Sequence, residues 1–222
     1  MIKPISQQPD LVKQVYHSLR DAICEGLFVP GQRLNQDQLA SKLQVSRQPV
    51  GQAIQLLKSQ GFVNDTGRRG VEIASLTTDQ ITGLYQIRAA LDALAAREAA
   101  RKNPVAALQE GLPLIELGRQ HCRSGSIMEM IHTDMEFHRF IYRISGNPAI
   151  DRTVSPHWYH LLRIMGLVLQ HKPPRQKIWD EHAAILDAIS KGDSTKAEQL
   201  ARQHGEKAAA ELTAQADPKN IL

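Results

Sequence analysis

The stretch of sequence that decides the fold of the first domain reads Leu43-Gln-Val-Ser-Arg-Gln-Pro-Val-Gly-Gln-Ala-Ile54. It predicts a helix that begins after Ser46, because serine is a favoured N-cap residue and Pro49 falls in the first turn, where a missing N–H costs little. Apolar residues then recur at helical spacing and predict a buried face: Val50, Ala53, Ile54 and Leu57. The opposite face carries side chains that suit phosphates and base edges: Arg47, Gln48, Gln52, Gln55 and Lys58. The stretch is typical of a DNA recognition helix.

The neighbouring segments complete the pattern of a winged helix-turn-helix. We predict these elements: a helix over 11–25, a helix over 36–43 capped by Asn35, and strands over 62–65 and 71–74. Gly61 is predicted to end the recognition helix as a left-handed cap. The hairpin tip between the strands carries Arg68 and Arg69, and a narrow minor groove attracts arginine through its negative potential. The alternative interpretation is an ordinary three-helix core with a solvated basic loop.

Length and charge favour two domains, the first of which binds nucleic acid. The chain has 222 residues and a net charge of +4. Residues 1–75 hold nine Lys and Arg against six Asp and Glu, so most of the positive excess lies in the DNA-binding part. We assign residues 1–10 to an N-terminal arm, 11–75 to the winged helix-turn-helix and 76–217 to a helical effector domain.

The sequence also predicts the compartment. It contains no apolar run of about 18 residues, and its first ten residues lack the apolar core of a signal peptide. Cys24 and Cys122 do not have metal-type spacing and are most simply reduced thiols. We therefore expect no membrane partner and a cytoplasmic location, with association to the nucleoid when DNA is bound.

Strand signals vanish after Ser75, and the rest of the chain predicts an all-helical antiparallel bundle. The predicted fold class is therefore mainly α. Thr77 and Gln80 have the spacing of a capping box at the start of the first helix. Breaks containing Gly or Pro separate six predicted helices: 78–102, 104–124, 126–145, 147–170, 175–190 and 193–216. Pro113 is expected to kink the second of them.

Four residues of this bundle form a candidate metal site. Asp134 and His138 are four residues apart and project from one face of a helix. His182 and His204 flank the turn at Gly192 at distances of ten and twelve residues, so their imidazoles fall at similar depth. Three imidazoles and one carboxylate suit a divalent transition metal. For each histidine taken alone, an ordinary core or surface position is the alternative.

Residues 11–74 resemble the DNA-binding domain of GntR-type bacterial transcription regulators. The resemblance rests on ordered motifs: Leu19-Arg-Asp-Ala-Ile23, Pro30-Gly-Gln-Arg-Leu34, Gln38-Leu-Ala40 and Val45-Ser-Arg-Gln-Pro-Val50. From the polar face of the predicted recognition helix, the basic wing and the neighbouring residues, we predict the following DNA contacts: Arg33, Ser46, Arg47, Gln48, Gln52, Gln55, Arg68 and Arg69. The family usually has Arg and then Glu after the Pro-Val pair. This chain has Gly51 and Gln52 there, so the usual operator sequence is not expected.

Residues 77–216 resemble the effector domain of the FadR branch of this family, in the six-helix, VanR-like version. The matching stretches are Asp134-Met-Glu-Phe-His138, Gly146-Asn-Pro148, Glu181 to Ile189 and the late His204. In that family the four candidate positions commonly bind zinc, nickel or manganese beside a small organic acid. The resemblance implies a metabolite-responsive homodimer that binds an inverted-repeat operator in double-stranded DNA, and we expect a repressor.

Two arginines are candidates for binding the organic acid. Arg88 lies one turn before Asp92, so an internal ion pair accounts for it equally well, and Arg163 is equally well explained as a solvated surface charge. Two other functions stay open. One is a sensor of the metal itself. The other is a metal-dependent enzyme fused to a DNA-binding domain, with Glu181 as its general base.

Overall fold

The chain folds as two units that divide between Ser75 and Leu76. The computed structural model describes residues 11–67, 70–124, 127–168 and 175–215. Several predictions fall outside these residues: the N-terminal arm over 1–10, the wing residues Arg68 and Arg69, and the predicted helix residues 126, 169–170 and 216.

The first unit combines three helices with a three-stranded antiparallel sheet. Its elements are α1 Leu11–Cys24, β1 Arg33–Leu34, α2 Gln36–Leu43, α3 Arg47–Ser59, β2 Val63–Asp65 and β3 Val71–Ile73. The strand order is β1-β3-β2, and Arg33 of β1 lies opposite Glu72 of β3. The sequence does not predict β1, because two residues are too few to show the alternation of a strand.

The ends of α2 and α3 can be compared with the capping residues predicted from the sequence. Asn35 caps α2 as predicted, since its side chain accepts hydrogen bonds from the backbone N–H groups of Asp37 and Gln38. Gly61 follows α3 with a φ of 76°, the left-handed conformation that was expected. Ser46 is the N-cap residue of α3, but its hydroxyl accepts no hydrogen bond from this helix. The prediction that a helix begins after Ser46 is confirmed, but the side-chain hydrogen bond of an N-cap residue is absent. The residue is exposed, so solvent competes with the helix for its hydroxyl.

The second unit is helical throughout its described part. Its elements are α4 Thr78–Lys102, α5 Pro104–Ala106, a π-helical turn Ala107–Gly111, α6 Leu112–Ser124, α7 Ile127–Ile144, α8 Pro148–Val154, a 3-10 turn Ser155–His157, α9 Trp158–Val168, α10 Arg175–Ser190 and α11 Ser194–Gln215. Thr77 and Gln80 form the predicted capping box of α4. The mainly α fold class with an N-terminal winged helix-turn-helix is confirmed. None of the described helices has the length and apolar character that crossing a membrane requires.

Two of the predicted helices are interrupted, each next to a proline. The π-helical turn ends at Gly111, two residues before Pro113. The 3-10 turn contains Pro156. Proline lacks the N–H group and its ring collides with the carbonyl four residues earlier in an α-helix. A change of helix type relieves this conflict. The prediction placed a kink at Pro113 but did not anticipate either change of helix type.

Two of the glycines in the second unit allow close contacts with α10 and α4. A Cβ atom at Gly118 of α6 would lie 2.1 Å from the indole of Trp179 in α10. A Cβ atom at Gly205 of α11 would lie 2.7 Å from the Cβ of Ala89 in α4. These contacts fix α10 and α11, the two helices that carry His182 and His204.

Candidate functional site

Four side chains from three helices meet inside the second unit. Asp134 and His138 come from α7, His182 from α10 and His204 from α11. Each offers one possible ligand atom, and these four atoms lie within 4.8 Å of one another. The Nε2 atoms of His182 and His204 are 3.2 Å apart, and Oδ1 of Asp134 lies 3.4 Å from Nε2 of His182. All four residues are buried, so the structure brings the whole candidate set together.

The outer nitrogen of His204 contacts a carboxylate at the edge of the bundle. Nδ1 of His204 lies 2.9 Å from Oε2 of Glu181, and Nζ of Lys207 donates to Oε1 of Glu181 at 3.1 Å. The hydrogen bond with His204, helped by that with Lys207, lowers the pKa of Glu181 to about 2, against the effect of partial burial. Because a carboxylate can only accept, Nδ1 of His204 donates. In the neutral ring Nε2 then presents a lone pair to the cluster.

A fully buried carboxylate also lies behind His138. Nδ1 of His138 lies 3.3 Å from Oδ2 of Asp92, and Oδ1 of Asp92 accepts a short hydrogen bond from the Tyr142 hydroxyl. Burial works to raise the pKa of Asp92, but His138 and then Arg88 hold it at about 2. Burial, followed by Arg88, lowers the pKa of His138, so this ring is neutral at neutral pH. Its Nε2 atom is buried and has no hydrogen-bond partner within the described chain.

Aromatic rings hold His182. It stacks on Phe137 with ring centroids 4.3 Å apart, and the ring of Trp179 meets it edge-on at 4.9 Å. Burial, followed by His204 and His138, lowers the pKa of His182 well below its usual value. The ring is therefore neutral, and its Nε2 atom can coordinate a metal when the ring proton lies on Nδ1.

Arg88 bridges the two buried carboxylates. Its Nη2 atom lies 3.3 Å from Oδ2 of Asp134, and its Nε atom lies 3.4 Å from Oδ2 of Asp92. Burial works to lower the pKa of Arg88, but Asp92 and Asp134 raise it, so the guanidinium stays charged. With neutral imidazoles, the three groups carry one net negative charge in a buried site. Of the two interpretations of Arg88, the internal ion pair is the arrangement observed.

The cavity beside the cluster is small. Its volume is about 10 Å³, and its lining comprises Asp92, Ala96, Phe137, His138, Ile141, Ile185, Ala201 and His204. Neither Arg88 nor Arg163 belongs to that lining. Arg163 is only 2% exposed in α9, so its interpretation as a solvated surface charge is wrong. A cavity of this size has room for about one water molecule.

The donor set and its surroundings fit a divalent transition-metal ion. Three imidazole nitrogens and one carboxylate oxygen are ligands of the kind that zinc, nickel and manganese accept. The carboxylates behind His138 and His204 are the usual outer partners of metal-binding imidazoles. Nε2 of His138 lacks a partner within the described chain, and the buried charge is negative. Both features favour a cation.

The recognition helix of the first unit separates its faces as the sequence predicts. Its predicted apolar residues Val50, Ala53, Ile54 and Leu57 are at most 1% exposed. All candidate DNA contacts in the described residues are exposed: Arg33, Ser46, Arg47, Gln48, Gln52 and Gln55. Nε of Arg47 lies 2.9 Å from Oδ1 of Asp37, but both side chains are about two-thirds exposed. An ion pair this exposed is weak, so Arg47 can leave Asp37 for another partner.

Three residues around the cluster of Asp134, His138, His182 and His204 were not predicted or were given another role from the sequence. Tyr142 lies four residues after His138, which itself follows Asp134 by four, so the helical spacing was a usable signal for Tyr142. Asp92 was recognised only as the partner of Arg88. Glu181 was considered only as a general base. It sits next to His182 in sequence yet bonds His204, and no spacing rule indicates this contact between helices.

Comparisons with known proteins agree with this architecture. The family model for bacterial regulatory proteins of the gntR family matches residues 11–73, and the model for the FCD domain matches residues 83–207. The HTH-type transcriptional regulator YdhC of Bacillus subtilis is 29% identical over 196 residues, which cover 86% of this chain and 84% of that protein. The Nta operon transcriptional regulator of Aminobacter aminovorans is 34% identical over 129 residues, or 57% of this chain and 60% of that protein.

A solved structure shows the same fold. The E. coli protein McbR/YncC matches with a TM-score of 0.78 at 21% sequence identity, and the match covers 96% of this chain and 100% of that one. The FCD model alone spans more than half of the chain, and the gntR model accounts for the preceding domain. The chain therefore belongs to the GntR family of bacterial transcriptional regulators, with an FCD domain after its DNA-binding domain.

Proposed function

We propose that this regulator binds a divalent transition metal, zinc, nickel or manganese, through Asp134, His138, His182 and His204. The convergence of four buried ligand atoms within 4.8 Å carries the proposal. A bound divalent ion supplies positive charge and open coordination positions to such a site. We also propose that the protein belongs to the FadR branch in its six-helix, VanR-like version. The described residues of the effector domain form six helical stretches, once the two changes of helix type are counted as interruptions, and this number supports the proposal.

A small carboxylate is the effector that the charges favour. Arg88, Asp92 and Asp134 carry one net negative charge, which a divalent ion would convert to one net positive charge. A singly charged carboxylate would then neutralise the site. In this proposal Arg88 acts by compensating the two aspartates, because both distances to them are below 3.5 Å. Arg163 stays a proposed effector contact, supported by its burial in the same unit.

The exposed face of α3 binds operator DNA in this proposal. Arg47 and the glutamines of that face would read base edges, whereas Arg33, Ser46 and the wing residues Arg68 and Arg69 would contact the backbone or minor groove. One recognition helix reads few base pairs, so a homodimer on an inverted repeat would increase the discrimination. We propose repression, which the effector modulates by favouring one dimer arrangement over another.

The small cavity favours a second candidate function, in which the metal itself is the signal. A volume of about 10 Å³ is too small for an organic acid unless the bundle opens. The enzyme alternative has less support. Glu181 contacts Nδ1 of His204, on the side of the ring that faces away from the other ligands, and so it does not lie where a general base would activate water.

Metal analysis combined with DNA binding distinguishes these functions. Elemental analysis of the purified protein is expected to find about one ion per chain. The variants His138→Ala and His182→Ala are expected to contain no ion. Affinity for an operator selected from random DNA would be measured after chelation, with metal alone, and with metal plus a panel of carboxylates. A metabolite regulator responds only when both are present, whereas a metal sensor responds to metal alone. A wild-type protein that takes up no ion after reloading contradicts the metal proposal.

A further inference from the structure

We infer that Glu181 is the positioning residue that holds His204 in the metal site, and that the ion exchanges with solvent on this side of the cluster. The inference rests on the proposed metal function. It assigns a role to a residue outside the four ligands and identifies which ligand leaves first.

The three imidazoles differ in what lies behind them. His138 is backed by Asp92 and Tyr142, whose exposed fractions are 3% and 1%. His182 is packed between Phe137 and Trp179, which are 1% and 0% exposed. The residues behind His204 are more exposed. The Glu181 side chain is 21% exposed and that of Lys207 is 53% exposed. Of the three imidazoles, His204 is thus the one whose outer partner is accessible to water.

This difference determines where the site opens. An ion leaves when one ligand turns away from it, and that ligand must first give up its outer contacts. For His138 and His182 those contacts lie in the packed interior, where water does not replace them. For His204 the contact is the hydrogen bond to Glu181, and water can take its place at a partly exposed carboxylate. The barrier to opening is therefore lowest at His204.

Glu181 also selects the form of His204 that coordinates. By accepting from Nδ1 it places the proton on the outer nitrogen and leaves Nε2 with a lone pair directed at His182 and the other ligands. Lys207 lies three residues after His204 on α11 and donates to the second oxygen of Glu181, so the carboxylate is held between α10 and α11. Without Glu181, the proton is free to move to Nε2, where it blocks coordination.

The test measures how fast a bound ion is lost. Wild-type protein loaded with Co²⁺ is mixed with excess EDTA, and the decay of the Co²⁺ absorption bands gives the dissociation rate. Loss of an outer partner typically lowers metal affinity by about 10- to 100-fold. Because the lost hydrogen bond holds the ligand that leaves first, Glu181→Ala is expected to raise the dissociation rate by about tenfold or more. Glu181→Gln is expected to raise it less, because its amide oxygen still accepts from Nδ1. The dissociation rate of Lys207→Met is expected to lie between those of wild type and Glu181→Ala.

A matched control lies on the same helix. Asp187 of α10 pairs with Lys191 at 2.7 Å, and both side chains are more than half exposed. Asp187→Ala removes a carboxylate from α10 without touching His204, and its dissociation rate is expected to equal that of wild type. Thermal melting of the metal-free proteins checks that each variant is folded, and Glu181→Gln keeps the shape of the original side chain.

The outcomes separate this inference from the proposed function. If wild type binds Co²⁺ and Glu181→Ala releases it within about twofold of the wild-type rate, Glu181 does not position His204. If Asp187→Ala accelerates release as much as Glu181→Ala, the effect is one of general surface charge, and the inference is equally wrong. If wild type binds no ion at all, the proposed metal function itself is wrong.

Discussion

The exposed face of α3 and the buried cluster of Asp134, His138, His182 and His204 place their candidate functional residues in opposite environments. On α3 the polar residues face solvent and the apolar residues form the core, so packing does not fix the functional side chains. In the cluster the functional side chains are themselves buried, and their orientation depends on neighbours such as Phe137 and Trp179. Substitutions on α3 should therefore change DNA binding with little change in stability. Substitutions around the cluster should change stability and metal binding together.

The largest expected effect comes from adding one methyl group next to Trp179. In Gly118→Ala the new Cβ atom would lie 2.1 Å from the buried indole, so Trp179 must move. Overpacking of this kind costs about 3 kcal/mol of the free energy of unfolding. Because Trp179 contacts His182, the variant should also bind metal more weakly. Urea unfolding and a metal titration measure the two effects.

A second glycine provides the control for that prediction. A Cβ atom at Gly83 of α4 would have no atom within 4 Å, so Gly83→Ala is expected to stabilise the helix by about 0.5 to 1 kcal/mol. If Gly118→Ala unfolds at the same urea concentration as wild type while retaining metal, the proposed dependence of the cluster on its packing is wrong.

The next effect concerns DNA binding alone. Arg47→Ala is expected to weaken binding to the selected operator by about 1 to 3 kcal/mol if Arg47 contacts a guanine, and to leave the free energy of unfolding within about 0.5 kcal/mol of wild type. Binding to operator and to unrelated DNA would be compared at several salt concentrations. Lys177→Ala removes an exposed cation from α10 of the effector domain and serves as the control. Equal losses on all DNA sequences would show that Arg47 contacts phosphate instead.

The smallest effect is expected at Gly51, a glycine inside α3. A Cβ atom there would meet only Oε1 of Gln36 at 3.5 Å, an ordinary contact. Gly51→Ala should therefore stabilise the first unit by about 0.5 to 1 kcal/mol, because glycine is a poor helix former. A destabilised variant in urea unfolding would show that the helix needs glycine at this position.

The sequence predicted the fold well because its signals are local. Asn35, Thr77 and Gly61 mark helix ends through contacts within a few residues, and all three predictions are confirmed. The changes of helix type near Pro113 and Pro156 were not predicted, because a proline shows where an α-helix is disturbed but not which turn replaces it.

The candidate site was predictable only in part, because sequence signals report contacts within a few residues of each other. Asp134 and His138 are neighbours on one helix, and a single short turn relates His182 to His204, so their approach followed from spacing. The bond between Glu181 and His204 depends on how α10 and α11 are rotated about their own axes. The sequence does not specify that rotation at the level of single side chains.

The position of α4 along the chain has a mechanical consequence. This helix starts at Thr78, two residues after the unit boundary at Leu76, and it carries Arg88 and Asp92. Ten helical residues between Thr78 and Arg88 correspond to about 15 Å of rigid rod. A displacement of Arg88 along the helix axis would therefore move Thr78 by almost the same distance, because no loop lies between these two residues.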